Sequence, residues 1–262
     1  MRLIDAHAHL QMPELLKLDL TEYWRVIDAV VVNGTTPSDW EKVAELARSR
    51  SDKVIPSFGV HPWSVADLTE DWQIRLRGYL EKFPNAGVGE IGLDKWVKSY
   101  DLNLQKKIFI EQLKIAKEYN RPITIHCLKA WGTLLEILDG QGQYLLHAYS
   151  GPMEMVDSFL KLGCYFSFSP YFMHERKSLQ REVFRMLPIE RVLIETDSPS
   201  MLGPPETWSD EQSLLSDQQH PMNIVKVTEC FSQLRGESYE ALGREVFHNF
   251  QRFFSMNETL PR

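Results

Sequence analysis

Residues 3–9 of the chain read Leu3-Ile4-Asp5-Ala6-His7-Ala8-His9, an apolar run that ends in two histidines two positions apart. Alternate side chains of a β-strand point to the same face, so a strand here places both imidazoles on one side, close enough to share a metal ion. A lone His-x-His is more often just two polar residues at the end of a strand. The metal interpretation therefore depends on other metal-binding residues in similar positions along the chain.

Length and composition limit the possible architectures. The chain has 262 residues, of which 43% are hydrophobic and 25% charged. Such a chain can bury a large core, and it suits one α/β barrel or two small domains. The residues after Met1 include no apolar stretch long enough for a signal peptide or a membrane span, so we expect a cytoplasmic protein that does not enter the membrane.

The net charge and the cysteine content argue against further classes of protein and of metal site. The formal net charge of -7 argues against a protein that coats nucleic acid by general electrostatic attraction, although it is compatible with a local phosphate site built on metal. The cysteines, Cys127, Cys164 and Cys230, are odd in number and lack C-x-x-C spacing. Neither a disulfide framework nor a thiolate zinc site is indicated, and we expect reduced packing residues.

Strand-like and helix-like segments alternate along the chain without a low-complexity tract or an obvious linker. The predicted strands cover residues 3–9, 26–33, 53–60, 86–91, 122–125, 143–146, 164–168 and 191–195. Helical patterns lie between them, such as the apolar stripe from Leu102 to Ala116. Eight short strands alternating with helices are typical of a (β/α)₈ barrel. We therefore predict the α/β class, with a TIM barrel that forms a single domain over residues 1–262.

Residues that bind metals or transfer protons recur at the predicted carboxyl ends of these strands. They are His7 and His9 at strand one, His61 at strand three, Glu90 at strand four, His126 at strand five, His147 at strand six and Asp197 at strand eight. In a barrel these strand ends converge on one mouth, where residues distant in sequence become neighbours. His174, His220 and His248 fall in predicted loops or helices, so we expect surface or packing roles for them.

Six short motifs carry these residues. They are Ile4-Asp5-Ala6-His7-Ala8-His9, Gly59-Val60-His61-Pro62, Gly89-Glu90-Ile91-Gly92-Leu93-Asp94, Ile125-His126-Cys127, His147-Ala148-Tyr149-Ser150-Gly151 and Glu195-Thr196-Asp197-Ser198-Pro199. Together they resemble the motifs of the TatD family of metal-dependent deoxyribonucleases, within the amidohydrolase superfamily. The resemblance covers essentially the whole chain, and six motifs in the right order are far more specific than any one of them.

The resemblance implies a TIM barrel that holds two divalent ions, which could be Zn, Mg or Mn. The ligands that it implies are His7, His9 and Asp197 for the first ion and His126 and His147 for the second, with Glu90 bridging. Imidazoles and carboxylates suit such divalent ions, and a bridged pair is what in-line hydrolysis of a phosphodiester requires. Asp5 either orients a liganding imidazole or bonds to backbone, and both readings stay open.

The resemblance also suggests catalytic and substrate-binding residues. Asp197 and Glu90 are predicted to act in catalysis, and His61 is interpreted as a proton donor or phosphate contact in the pocket. Ser198 either donates a hydrogen bond to the substrate or caps the segment before Pro199. Lys129 is the remaining predicted substrate contact. Asp94, in contrast, is expected to stabilise its own loop.

The chain departs from the family pattern where substrate specificity is set. Leu128 and Lys129 stand where the family usually has an arginine and an acidic residue. The guanidinium group of that arginine, which can bind a phosphate through two hydrogen bonds, is therefore missing, and the ammonium of Lys129 could replace it. The loop from Pro199 to His220 also lacks the usual arginine and asparagine before a proline. Trp63 and Trp96 follow pocket motifs and could stack on a base, although tryptophan is commonly a core residue.

We predict from these observations a cytoplasmic, two-metal hydrolase that cleaves phosphodiester bonds. Its expected substrate is DNA, attacked at single-stranded or frayed ends in the manner of a 3′–5′ exonuclease, with few phosphates held by local cations such as Lys95, Lys98 or Lys129. No obligate protein partner is indicated. Two alternatives stay open: a metal-dependent hydrolase of amide, ester or lactone bonds in a small molecule, and a catalytically silent metal-binding interaction protein. The intact set of predicted ligands argues against the silent protein.

Overall fold

Strands and helices alternate along the chain as predicted. The computed structural model describes residues 2–96, 101–215 and 217–254. Its strands are β1 (Ile4–Ala8), β2 (Ala29–Asn33), β3 (Val54–Ser57), β4 (Val88–Asp94), β5 (Ile123–Leu128), β6 (Tyr144–Leu146), β7 (Tyr165–Phe168) and β8 (Val192–Ile194). Its α-helices are α1 (Thr21–Val26), α2 (Trp40–Ser49), α3 (Trp72–Lys82), α4 (Leu102–Glu118), α5 (Trp131–Ile137), α6 (Val156–Lys161), α7 (Ser178–Met186), α8 (Ile224–Arg235) and α9 (Tyr239–Phe253).

The strands form two sheets, of order β1-β2-β3 and β4-β5-β6-β7-β8. The pairs β1–β2, β4–β5, β5–β6 and β7–β8 are parallel. Every residue of β1, β2 and β4 is buried, as expected for parallel strands covered on both faces. The three cysteines are free and buried, in agreement with the prediction. Among the described residues, none of the helices combines the length and the apolar character that crossing a membrane requires.

Four strand boundaries differ from the prediction by three residues. β3 ends at Ser57 rather than at residue 60, and β5 continues to Leu128 rather than ending at residue 125, so His126 lies inside β5 and not at its end. β2 begins at Ala29 rather than at residue 26, because the preceding residues form α1, which ends with the Ile27 N–H bonded to the Tyr23 carbonyl. β4 continues to Asp94 rather than ending at residue 91, because its last three residues remain paired with residues 126–128 of β5. Glu90 therefore lies inside β4 and not at its end.

The chain divides into two compact units, and the first contains the described residues of the ranges 1–32, 50–54 and 166–262. Phenylalanines form much of its core. Phe168 stacks on Phe231 with 4.4 Å between ring centroids, and Phe184 meets Phe168 edge-on at 5.3 Å. All three rings are fully buried. Aromatic pairs in these arrangements add to the stabilisation that burial of the rings provides.

The second unit contains the described residues of the ranges 33–49 and 55–165. Its aromatic cluster includes Trp40, Phe58 and Tyr79, with Phe58 and Tyr79 ring centroids 4.7 Å apart. The buried Trp40 indole donates its N–H to the Gly59 carbonyl at 3.0 Å, so its polar atom is satisfied. Helix α4 buries Phe109 and Ala116 of its predicted apolar stripe, whereas Leu102 and Leu113 are only half-buried. The rest of the buried face consists of Gln105, Ile108, Gln112 and Ile115.

Candidate metal-binding clusters

His7, His9 and Asp197 form the first cluster, in the first unit. The two imidazole Nε2 atoms lie 3.1 Å apart, and Asp197 Oδ1 lies 3.5 Å from His7 Nε2 and 3.3 Å from His9 Nε2. All three residues are buried. The prediction that a strand brings both imidazoles to one side is confirmed, because His7 lies in β1 and His9 follows it directly.

Backbone hydrogen bonds hold Asp197 beside β1. The Asp197 N–H donates to the His7 carbonyl at 2.9 Å, and the His9 N–H donates to the Ser198 carbonyl at 2.8 Å. Asp197 has a φ of 54°, in the left-handed region that few residues other than glycine, asparagine and aspartate adopt. The local chain path after β8 is therefore adapted to turn this carboxylate toward the two histidines.

Asp5 connects the same two segments through its side chain. Its carboxylate accepts hydrogen bonds from the Thr196 N–H at 2.9 Å and the Thr196 hydroxyl at 2.6 Å. Burial raises the pKa of Asp5 to about 7, against the opposing effect of the bonds from Thr196. Of the two readings left open by the sequence, the described contacts favour bonding to the chain next to Asp197, since the side chain reaches Thr196 rather than an imidazole.

Glu90, His61, His126 and His147 form the second cluster, in the second unit. Glu90 Oε1 lies 2.9 Å from His126 Nδ1, 2.9 Å from His147 Nε2 and 3.4 Å from His61 Nε2. His126 Nδ1 and His147 Nε2 are 3.3 Å apart. Glu90 is buried in the middle of β4, so three imidazole nitrogens surround one carboxylate oxygen that has little access to solvent.

Two glycines let backbone segments approach closely around Glu90. A Cβ on Gly59 would lie 2.7 Å from the carbonyl carbon of Gly89, next to Glu90. A Cβ on Gly92 would lie 1.8 Å from the carbonyl oxygen of His126, and Gly92 has a φ of 153°. Side chains at either position would push the strands apart, so these glycines allow Glu90 and His126 to meet.

The protonation of His61 follows from its neighbours. Its Nδ1 accepts a hydrogen bond from the Trp63 N–H at 3.2 Å, at the start of the 3₁₀ helix Pro62–Asp67. A neutral imidazole that accepts through Nδ1 carries its proton on Nε2, the atom that faces Glu90. A protonated nitrogen donates a hydrogen bond and does not bind a metal, so this geometry favours a proton-donating role for His61 over a ligand role.

Asp94 contacts the second cluster in a way that the sequence interpretation missed. Its Oδ2 lies 3.1 Å from His126 Nε2 and accepts the Trp63 indole N–H at 2.7 Å. Burial opposes ionisation, but hydrogen bonds from His126 and from Trp96 hold the pKa of Asp94 below its ordinary value. A carboxylate behind an imidazole fixes the orientation of the ring. The signal was available, because residues 90 and 94 share one face of a strand.

The residues that were predicted to contact the substrate differ in their burial and in their neighbours. Ser198 is fully buried, and among the described residues its Oγ has no hydrogen-bond partner. Lys129 is exposed, and its Nζ lies 4.0 Å from the centroid of the Trp96 ring. Lys95 is half-buried, and Lys98 lies outside the described residues.

The histidines for which no site role was expected have other described surroundings. His174 bonds to the Leu202 carbonyl through Nε2, and the Nδ1 of His220 accepts the Met222 N–H. His248 is exposed on α9. These contacts agree with surface and packing roles.

The donor sets fit divalent ions. A metal bound tetrahedrally at ordinary metal–nitrogen and metal–oxygen lengths has ligand atoms about 3.3 Å apart. The donor separations in the first cluster, from 3.1 to 3.5 Å, match that spacing. In the second cluster, without His61, Glu90 Oε1, His126 Nδ1 and His147 Nε2 lie 2.9 to 3.3 Å from one another. Buried imidazoles and carboxylates of this kind are the ligands that such metals prefer.

Comparisons with known proteins agree with these features. Residues 4–255 match the family described as TatD related DNase. The 3′-5′ ssDNA/RNA exonuclease TatD of Pantoea ananatis is 27% identical over 88% of this chain and 89% of its own. The uncharacterised metal-dependent hydrolase YcfH of Escherichia coli (strain K12) is 28% identical over 98% of this chain and 97% of its own.

A solved structure shares the fold. It is that of YJJV, a TatD homologue from Escherichia coli K12, which covers 98% of this chain and 99% of its own with a TM-score of 0.88 at 24% identity. This likeness confirms the predicted fold class, an α/β TIM barrel. With the family match extending over residues 4–255, the chain belongs to the TatD related DNase family and is a metal-dependent hydrolase.

Proposed function

We propose that this protein is a two-metal phosphodiesterase that removes nucleotides from single-stranded or frayed ends of DNA, in the manner of a 3′–5′ exonuclease. The observation that carries the proposal is the pair of clusters: donor atoms 3.1 to 3.5 Å apart in the first, and two imidazole nitrogens each 2.9 Å from one buried Glu90 oxygen in the second. The Pantoea ananatis relative is named as a 3′-5′ ssDNA/RNA exonuclease, which supports the substrate and the direction. Residues 1–262 are proposed to act as a single domain, and cytoplasmic location stays a prediction.

The proposed ligands are those that the family resemblance implied. They are His7, His9 and Asp197 for one ion and His126 and His147 for the other, with Glu90 as the bridging carboxylate. When bound, the two ions, Zn, Mg or Mn, would lower the pKa of a water and offset charge on the phosphoryl oxygens. Asp94 holds the His126 ring in the orientation in which its Nδ1 faces Glu90.

The chain itself supplies proton transfer and substrate contacts. Asp197 is proposed to accept a proton from the attacking water, since its carboxylate is buried and turned inward by its backbone. His61 is proposed to donate its Nε2 proton to a phosphate oxygen. Ser198 and Lys129 are proposed as further substrate contacts, Ser198 through its buried hydroxyl and Lys129 through its exposed ammonium.

The proposed function is tested by metal content and substrate class together. Purified protein is assayed for bound metal and then for hydrolysis of bis(p-nitrophenyl) phosphate and p-nitrophenyl acetate, before and after treatment with a chelator. We expect metal-dependent cleavage of the phosphodiester. Cleavage of the acetate alone would favour a small-molecule esterase, and bound metal without turnover of either compound would favour an interaction protein.

His61→Ala is expected to retain the metal content of the wild type while raising the KM for a single-stranded oligonucleotide. The reason is that His61 presents a protonated Nε2 and contacts Glu90 as a donor rather than as a ligand. Metal content measured by mass spectrometry and steady-state kinetics check this, with the exposed His248→Ala as control. Loss of metal from His61→Ala would show that His61 belongs to the ligand set.

Binding of DNA is expected to depend weakly on salt. A chain of net charge -7 that holds its substrate through two ions and a few local cations touches few phosphates. Each neutralised phosphate contributes close to one unit of slope, so log affinity against log salt should fall with a slope of about -1 to -3. Binding to a labelled single strand and a blunt duplex is measured across a salt series with calcium replacing the catalytic metal. A slope steeper than about -5, or equal preference for internal duplex sites, would reveal an extended basic surface.

A further inference from the structure

Two exposed tryptophans flank Asp94 in the second unit. Trp63 exposes 62% of its surface and Trp96 exposes 64%. Asp94 Oδ2 accepts the Trp63 indole N–H at 2.7 Å, and Oδ1 accepts the Trp96 backbone N–H at 2.6 Å. Large apolar rings are costly to leave in water, so two of them fixed around one carboxylate indicate a surface that contacts something else.

This pair of tryptophans is connected to the second cluster. The Trp63 ring lies edge-on to His61, with 4.8 Å between centroids, and 6.3 Å from the ring of His126. The Asp94 carboxylate that holds Trp63 also bonds His126. If a phosphate of the strand binds at the second cluster, the base of the same or the adjacent nucleotide can therefore reach the Trp63 ring.

Lys129 places a positive charge beside Trp96. Its Nζ lies 4.0 Å from the Trp96 ring centroid, in a cation–π contact. Lys129 has a φ of 55°, in the left-handed region that costs a lysine free energy. Its ammonium stays exposed to solvent beside the ring, where it can contact the phosphate of a strand.

We infer that Trp63 and Trp96 form a stacking surface for the unpaired bases of a single strand, with Lys129 contacting its backbone. The inference rests on the proposed nuclease function and names the residues that would produce its preference for single strands. Stacking accepts any base because every base has a π-face, whereas bases paired within a duplex do not expose those faces. The tryptophans would thus select single-stranded over double-stranded ends without selecting a sequence.

The test compares an oligothymidylate with an abasic strand of the same length, which keeps the phosphates but lacks bases. Affinities are measured by fluorescence anisotropy with calcium in place of the catalytic metal, and KM by release of product. We expect the wild type to prefer the base-bearing strand, and Trp96→Ala to reduce that preference about tenfold, the size of one lost stacking contact. Trp96→Phe should restore most of it, because a phenyl ring still stacks.

A second variant separates stacking from the hydrogen bond to Asp94. Trp63→Phe keeps an aromatic ring and removes the indole N–H, so it should keep more of the preference than Trp63→Ala. Ile74→Ala, which truncates another exposed apolar side chain of the same unit, is the control and should behave like the wild type. Thermal melting confirms that each variant is folded.

The possible outcomes distinguish the inference from the function on which it rests. If the wild type cleaves oligothymidylate and Trp96→Ala and Trp63→Ala both retain its preference over the abasic strand, the stacking surface is refuted and the nuclease proposal stands. If the wild type hydrolyses bis(p-nitrophenyl) phosphate but neither binds nor cleaves either strand, the DNA substrate itself is refuted.

Discussion

Glu90→Gln is expected to lower turnover of bis(p-nitrophenyl) phosphate by about a hundredfold or more, the loss typical of removing one strong transition-state contact. Glu90 Oε1 lies within 3.4 Å of nitrogen atoms of three histidines. An amide keeps the shape of the side chain but removes the negative charge that would hold cations beside those imidazoles. The measurement is kcat together with metal content by mass spectrometry.

The control for this variant is His248→Ala, since His248 is exposed on α9 and contributes to neither cluster. Its metal content and rate should stay near those of the wild type. Wild-type turnover by Glu90→Gln with two ions still bound would contradict the proposed bridging role.

Asp197→Asn is expected to reduce turnover by about a hundredfold to ten-thousandfold, the range lost when a positioned proton acceptor is removed. Asn adopts the left-handed region almost as readily as Asp, so the φ of 54° at this position can be kept and the variant should fold. The amide lacks both the charge that faces His7 and His9 and the capacity to accept a proton from water.

Turnover is measured alongside the metal affinity of the first cluster, by titration into metal-free protein. Asp210→Asn makes the same chemical change at an exposed residue of the same unit and should leave both quantities unchanged. A rate within about tenfold of the wild type for Asp197→Asn would show that proton acceptance lies elsewhere.

Local periodicity determined several features of this protein. The spacing of His7 and His9 places their Nε2 atoms 3.1 Å apart because alternate side chains of one strand share a face. The same reasoning predicted the order of the strands and the burial of Phe109 and Ala116 on α4. It also predicted the packing roles of His174 and His220. These features depend on covalent geometry and on the residue types within a few positions, and both can be inferred directly from the sequence.

Other features depend on pairing between distant segments. Glu90 lies inside β4 only because residues 92–94 continue to pair with residues 126–128, and the same register brings Asp94 to His126 across 32 positions of sequence. The sequence leaves open whether a tryptophan is buried or exposed. In the structure both Trp63 and Trp96 are exposed, and each donates a hydrogen bond to Asp94. The tertiary structure decided these points because strand register and side-chain exposure arise from contacts between segments, which residue type and local spacing do not specify.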